Sequence, residues 1–136
     1  HLKKPVISIC RGSQFICVMN GGKLVQHQEN PSFLHNIQTY DGRTLEVTST
    51  HHQAAFPYNL PKENYELIGW SENLSRFHLD GNNEEMNPPY EAEVVYYPKS
   101  NDLGIQSHPE MYNNKEVHVY FNNLIKEKLL CKKQSR

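Results

Sequence analysis

Residues 5–12 read PVISICRG, a short apolar run that ends in a cysteine, an arginine and a glycine. A run so rich in β-branched residues predicts a strand, and its continuous apolar character favours one buried on both faces of a parallel sheet. Residues 13–19 then predict a short helix, which the glycines at positions 21 and 22 end. Cys10 is therefore expected at a turn that leads from a strand into a helix.

A sharp strand-to-helix turn exposes the side chain at its tip, and some hydrolases present a nucleophile in this way. At that position the positive end of the helix dipole, together with Arg11, favours the thiolate form of Cys10. Gly12 supplies the backbone freedom that a tight turn needs. Because a free cysteine is most often a small buried core residue, the turn alone leaves both interpretations open.

A second motif follows a short apolar strand predicted at residues 103–106. His108 comes directly after it, Glu110 lies two residues further on, and Pro109 stiffens the link between them. A catalytic cysteine needs a base within hydrogen-bond reach, and that base needs a group to orient it. His108 and Glu110 are candidates for these two roles, the alternative being a turn with an incidental charge.

The remaining pattern mixes strands with helices. Asp41-Gly42 between two alternating runs predicts a hairpin of residues 34–39 and 43–48. Further strands are predicted at 23–26, 65–70 and 92–97, and a final helix contains the apolar positions from Val117 to Leu129. Residues 72–89 are polar and predict an exposed excursion or insertion. This order predicts one open α/β sheet, with ligands beyond the carboxyl ends of its strands.

The amino-acid composition limits the classes of protein to which this chain can belong. The chain has 136 residues, 14 Lys plus Arg, 15 Asp plus Glu and a formal net charge of −1, which fits one domain over residues 1–136 and argues against a nucleic-acid or membrane-surface partner. It contains neither an apolar run long enough to span a bilayer nor a signal-like start. Three cysteines make no disulfide framework, so a reducing, cytoplasmic setting is expected, with Cys17 buried and Cys131 exposed.

The eight histidines raise the question of a metal site. His51 and His52 could be joined by His27, His35 or His78. Adjacent residues of an extended chain point to opposite faces, however, and no spacing typical of a zinc site is present. We therefore expect neither a metal nor a cofactor.

Four blocks carry a resemblance to a known family. Residues 9–14 (ICRGSQ), 21–26 (GGKLVQ), 49–54 (STHHQA) and 104–110 (GIQSHPE) resemble, in order and spacing, the class I glutamine amidotransferase-like superfamily, and most closely its γ-glutamyl hydrolase (peptidase C26) branch. The resemblance implies a three-layer α/β fold with an open, mostly parallel, flavodoxin-like sheet. Relatives carry further strands before the nucleophile, so it also implies that this chain is the C-terminal portion, incomplete at its N-terminal side.

The resemblance further implies an activity. Cys10, His108 and Glu110 match a catalytic triad that cleaves the side-chain amide of glutamine or of a γ-glutamyl compound through a γ-glutamyl thioester. The backbone N–H of Arg11 matches an oxyanion donor, and Gln14 matches a residue that lines the glutamyl pocket. Substrate binding is also implied for three residues of the 49–54 block: Ser49, His51 and His52.

Three positions depart from the family pattern: Ser8, where glycine is usual; Ser13, where histidine is frequent; and Ser107, where an aromatic residue or histidine is common. Two alternatives to a free hydrolase therefore stay open. One is a catalytically inactive binding or assembly module of the same fold. The other is the glutaminase part of a larger synthetase, with that synthetase or a missing N-terminal half as partner.

Overall fold

The computed structural model of the chain describes residues 4–29, 33–48, 51–72, 75–111 and 113–131. The strands, in chain order, are β1 (Val6–Ile9), β2 (Lys23–Val25), β3 (His27–Gln28), β4 (Leu34–Thr39), β5 (Thr44–Thr48), β6 (Ala54–Phe56), β7 (Glu66–Ser71), β8 (His78–Leu79), β9 (Glu91–Tyr97) and β10 (Asp102–Ile105). The α-helices are α1 (Arg11–Met19) and α2 (Lys115–Ile125). Short 3₁₀ turns occur at Lys62–Asn64 and Pro109–Met111, and α2 continues into a π-helical turn at Lys126–Leu130.

A six-stranded sheet in the order β1-β10-β9-β7-β4-β5 organises the described chain. Only its β1–β10 pairing is parallel, and its other four described pairings are antiparallel. The sheet is therefore mixed, and the prediction of a mostly parallel sheet is not confirmed. The physical reason is loop length: the turn at residues 98–101 and the β4–β5 hairpin are too short for the crossover that parallel neighbours need.

The first strand is less buried than its sequence predicts. Val6 and Ile7 each expose 43% of their surface, because β1 has a single neighbour, β10, in the described sheet. The parallel direction of β1 is as predicted, but the expected burial on both faces is wrong for these two residues. An apolar run indicates a strand without showing whether both of its faces are covered.

Successive side chains of β9 point to opposite faces of the sheet and pack into two separate hydrophobic cores. Val94 and Tyr96 pack with the buried side chains of α2, whereas Val95 and Tyr97 pack with Cys17 of α1. One helix thus covers each face. Cys17 is fully buried and Cys131 is exposed, as the sequence predicts.

A glycine allows α1 to lie close to the sheet. A Cβ atom placed on Gly104 of β10 would lie 3.1 Å from Ser13 Cβ and 3.4 Å from Ser13 Cα. An approach this close is possible only because glycine has no side chain. The first turn of α1 therefore lies directly over β10, the strand that pairs with β1 in the sheet.

The hairpin predicted around Asp41-Gly42 is present as β4 and β5, with Gly42 at φ 86°. Three short strands were not predicted: β6, which pairs with β2, and the pair β3–β8. The 72–89 segment, of which Asn73 and Leu74 are not described, contains β8 and is attached through it to β3. Among the described residues no helix is long and apolar enough to cross a membrane.

Candidate active site

Cys10 is the residue at which β1 ends and α1 begins, and its backbone lies in the left-handed region at φ 53° and ψ −111°. A non-glycine residue held there is strained by about 1–2 kcal/mol. Its N–H donates to the Ile105 carbonyl at 2.7 Å, and its carbonyl accepts from Ser13 N–H at 2.9 Å and Ser13 Oγ at 2.7 Å. These bonds hold the turn in its strained form.

Two of the serines that depart from the family pattern fit this turn. Ser8 is buried below it, and a Cβ atom on Gly12 would lie 3.3 Å from Ser8 Cβ, so the turn accepts serine at position 8 because residue 12 is glycine. Ser13 is buried and holds the Cys10 carbonyl as described above. Neither departure disrupts the strand-to-helix turn.

The electrostatic surroundings of Cys10 partly differ from those expected. Burial raises the pKa of the Cys10 thiol, and the charge of Glu110 acts in the same direction. The N–H and charge of Arg11 oppose this shift, together with a hydrogen bond from Gln106. The predicted influence of Arg11 is thus present, but it is outweighed by burial, and the thiol pKa is raised overall.

The side chains of His108 and Glu110 are hydrogen-bonded to each other beyond the end of β10. His108 Nδ1 lies 2.7 Å from Glu110 Oε2, and the His108 backbone N–H donates to Thr48 Oγ1 at 2.8 Å. Burial alone would raise the pKa of Glu110, but hydrogen bonds from His108 and from its own backbone outweigh it and lower the pKa. Because Nδ1 is occupied by the carboxylate, Nε2 is the nitrogen left for proton transfer.

Strand register explains why two distant segments meet. In the parallel β1–β10 pair, Ile9 lies opposite Ile105, so both strands end at the same edge of the sheet. Cys10 follows one strand and Gln106 follows the other, and Gln106 Nε2 lies 3.6 Å from Cys10 Sγ. The 3₁₀ turn that carries Glu110 begins three residues after Gln106.

A chain of buried amide groups, here called the amide network, leads away from Cys10. Gln106 Oε1 accepts from Gln14 Nε2 at 3.3 Å, and the same nitrogen donates to the Gln53 carbonyl at 2.9 Å. His51 Nδ1 lies 3.0 Å from that carbonyl. The structure thus brings Gln14 and His51, both predicted as substrate-binding residues, into one network with the thiol.

The predicted binding residues of the 49–54 block differ in exposure. His51 is buried and His52 is exposed, as the alternation of an extended chain predicts. Burial lowers the pKa of His51, and its Nε2 has no hydrogen-bond partner among the described residues. Ser49 lies outside the described residues. Roles in substrate binding remain predictions for all three.

The sequence did not single out Glu93 or Gln106, and it considered His35 only as a metal ligand. His35 Nε2 lies 2.8 Å from Glu93 Oε2, and the two side chains expose 13% and 2% of their surface. Burial alone would lower the pKa of His35, but the hydrogen bond and charge of Glu93 outweigh it and raise the pKa. The pair lies beside His51, whose ring centroid is 6.5 Å from that of His35. The partners are 58 positions apart in the sequence, so local spacing carries no signal for the pair.

This ion pair predicts a pH-dependent stability. Because the folded-state pKa of His35 is raised above 6.5, its contribution is fully present below that value and is lost as pH rises through the folded pKa. We expect His35→Gln to lower the free energy of unfolding by about 2 kcal/mol near pH 6, and by clearly less near pH 9. Urea unfolding at the two pH values measures the difference. The exposed His27→Gln is the control, and a cost of His35→Gln that is equal at both pH values would contradict the prediction.

In the described part of the chain, no group of three or more His, Cys, Asp or Glu side chains is arranged to hold a metal ion. The histidines considered in the sequence occupy different surroundings. His27 is exposed, while His78 is buried against Glu91, with its Nε2 2.7 Å from Glu91 Oε2.

The 72–89 segment also borders a concave surface. A cavity of about 710 Å³ is lined by residues from this segment, including Asp80 and Met86, and by Gln26 and Phe56. Gln26 Oε1 accepts a hydrogen bond of 2.9 Å from Gln53 Nε2. Through Gln53 the border of this cavity is connected to the amide network.

Comparison with known proteins adds independent findings. Residues 1–58 match the family model of peptidase C26. The chain is similar in structure to a putative GMP synthase subunit from Thermoplasma acidophilum, with a TM-score of 0.65 and 18% identity over 91% of this chain and 57% of that chain. It is also similar to a glutamine amidotransferase from Thermotoga maritima, with a TM-score of 0.55 and 19% identity over 92% of this chain and 50% of that chain. A search of curated proteins found no match.

The chain thus spans only 57% and 50% of the lengths of these two proteins. At such identities the likeness shows a shared fold, to which the family match adds the segment that contains Cys10 and His51. The matched segment and the shared fold together confirm the resemblance of this chain to the class I glutamine amidotransferase-like superfamily.

Proposed function

We propose that this chain cleaves the side-chain amide of glutamine or of a γ-glutamyl compound, with Cys10 as nucleophile, His108 as base and Glu110 as the carboxylate that orients it. The observation that carries the proposal is the strained backbone of Cys10 at φ 53°, directly after β1, whose neighbour β10 leads to the His108–Glu110 pair. Strain of this kind is concentrated at functional sites, and a sharp strand-to-helix turn is a recurring way to expose a nucleophile.

The reaction takes place in two halves. Cys10 Sγ attacks the amide carbonyl carbon as His108 takes the thiol proton, which forms the C–S bond of a tetrahedral intermediate. His108 then gives the proton to the leaving nitrogen, the C–N bond breaks, and a γ-glutamyl thioester remains. Water, deprotonated by His108, attacks the thioester and releases glutamate and the free thiol. An acceptor amine in place of water would give a transfer product.

Charge that develops on the carbonyl oxygen needs a donor. The Arg11 N–H belongs to the first turn of α1, where backbone donors lack helical partners, and it already faces the Cys10 sulfur. We assign it as one oxyanion donor. Gln14, Ser49, His51 and His52 are the proposed contacts to the glutamyl part of the substrate.

The raised pKa of the Cys10 thiol fits a mechanism in which Cys10 is the nucleophile and His108 is a separate base. A thiol that stays protonated near neutral pH has to lose its proton to a base when the substrate is in place. His108, held through Nδ1 by Glu110, offers Nε2 for that purpose. The carboxylate also stabilises the imidazolium that forms.

A second candidate is the glutaminase part of a larger synthetase, in which the released ammonia would be used at another active site. The fold shared with a putative GMP synthase subunit favours it. Glutamate release that rises when a synthetase partner is added would support this candidate. An inactive binding module is the remaining alternative, and it would bind ligand without turnover.

The test compares two substrates and uses hydroxylamine to trap the thioester intermediate. The chain is incubated with L-glutamine and separately with a γ-glutamyl anilide, and the released glutamate is quantified. Hydroxylamine is then added, because it converts a thioester into γ-glutamyl hydroxamate. We expect glutamate release from at least one of the substrates, and hydroxamate formation only with enzyme present. Calorimetric binding of glutamine without glutamate release would instead support the inactive module and overturn the proposal.

A further inference from the structure

We propose that Gln106 is a positioning residue for Cys10: its side-chain amide donates an N–H to Sγ, fixes the direction of the sulfur and favours the thiolate over the thiol. The inference deepens the proposed function, on which it rests for its catalytic meaning. Its physical claim concerns only the thiol and can be tested without turnover.

The position of Gln106 is strongly constrained. Its side chain is 1% exposed, and its backbone N–H donates to the Glu93 carbonyl at 2.7 Å, which continues the β9–β10 ladder by one residue. Its side-chain Nε2 lies 3.6 Å from Cys10 Sγ, within the range of hydrogen bonds to sulfur. A buried glutamine with both backbone and side chain bound has little freedom to turn away.

The hydrogen-bond network decides which end of the amide faces the sulfur. The Gln53 backbone carbonyl can only accept, so the group of Gln14 that faces it must be the N–H₂. This nitrogen also faces Gln106, which must present its oxygen to it. The Gln106 N–H₂ is then left for Cys10 Sγ. The orientation follows from one backbone carbonyl and two amides, with no ionised group involved.

A neutral donor suits this position. An N–H group bonds more strongly to a thiolate than to a thiol, because the bond to an ionised acceptor is charge-assisted. Other groups that face Cys10 act in both directions: Arg11 favours the thiolate, Glu110 opposes it, and burial opposes it. His108 is paired with Glu110 at the same edge of the sheet. Gln106 favours the thiolate without adding a charge that substrate binding would have to accommodate.

The experiment measures the pH dependence of Cys10 alkylation in the wild-type chain and in Gln106→Met. Methionine has nearly the length of glutamine and donates no hydrogen bond. Iodoacetamide labelling is followed over time at a series of pH values, and the labelled Cys10 peptide is quantified by mass spectrometry. We expect the midpoint of the profile to rise by about one pH unit, so that labelling at neutral pH slows about tenfold.

Two controls separate positioning from packing. Gln28→Met changes another buried glutamine, whose side-chain oxygen has no hydrogen-bond partner among the described residues, so it should leave the Cys10 midpoint unchanged even if stability falls. Exposed Cys131 is labelled in every sample and is the internal reference. Gln106→Asn keeps the amide but shortens the side chain by one methylene, which moves the amide away from Cys10 Sγ. If circular dichroism shows that Gln106→Met does not fold, the labelling midpoint is measured in Gln106→Asn instead.

An unchanged midpoint in a folded Gln106 variant would overturn the inference, whatever the chain does to glutamine. Conversely, a raised midpoint in a chain that releases no glutamate would support the inference while the proposed function failed. The two failures are therefore distinguishable in one set of samples.

Discussion

Replacing Cys10 by alanine is expected to lower the rate of glutamate release by about 10⁴-fold or more, because no other described group at this edge of the sheet can form the thioester. The same substitution should remove hydroxamate formation in the trapping assay. Release of glutamate from purified protein at several enzyme concentrations measures the effect. The exposed Cys131→Ala is the control and should keep the wild-type rate. Undiminished turnover in Cys10→Ala would reject Cys10 as the nucleophile.

The strained backbone adds a second readout at the same position. Alanine at φ 53° retains the strain, whereas glycine adopts this conformation freely. We expect Cys10→Gly to be inactive as well, but to have a free energy of unfolding about 1 kcal/mol higher than that of Cys10→Ala. At Phe15, which is exposed and lies in the interior of α1, the order should be reversed, with glycine less stable than alanine by about 1 kcal/mol. Equal stability of the two Cys10 variants would contradict the role of the strain.

Replacing His108 by alanine is expected to lower kcat by about 10³-fold, because both proton transfers then lack their carrier. Glu110→Gln should lower kcat less, since the Glu110 side chain is 52% exposed and solvent screens its charge. Both variants should change KM less than kcat, as expected when a group acts mainly in the transition state. Steady-state kinetics with glutamine gives the two constants.

The control for the Glu110 variant is Glu116→Gln, which changes another exposed glutamate, one that forms an ion pair with Arg43 at 3.3 Å. It should leave kcat unchanged. If His108→Ala turns over at the wild-type rate while Cys10→Ala does not, then Cys10 uses a different base and the proposed catalytic role of His108 and Glu110 is wrong. The Cys10 result would still stand in that case.

Short sequence patterns predicted the hairpin and α2, because the residues that form these elements are close together in the chain. Asp41-Gly42 predicted the β4–β5 hairpin because glycine accepts the positive φ of 86° that this turn requires. The spacing of apolar residues predicted α2, which buries Val117, Tyr120, Phe121 and Leu124 on one face. Asn114 caps this helix by accepting from the N–H groups of Glu116 and Val117.

Features that depend on distant pairing were missed or predicted incorrectly. The strands β3, β6 and β8 are two or three residues long, and such segments are strands only because a partner lies beside them. The burial of β1 was predicted from its composition, which reports apolar character without reporting how many neighbours the strand has. The sheet is mixed because short turns return the chain to the adjacent strand, a matter of connection rather than of strand composition.

By itself the sequence determined that a cysteine stands where a strand passes into a helix, and that a histidine and a glutamate follow a later strand at fixed spacing. These are local facts, since they depend on residues within a few positions of one another. Only the tertiary structure decided that the two strands are parallel neighbours in register, that Cys10 is strained, and that Gln106 turns its amide toward the sulfur. Those facts depend on hydrogen bonds between residues nearly a hundred positions apart, such as the contact of Gln106 with Cys10 at a separation of 96, and no local pattern encodes such a pairing.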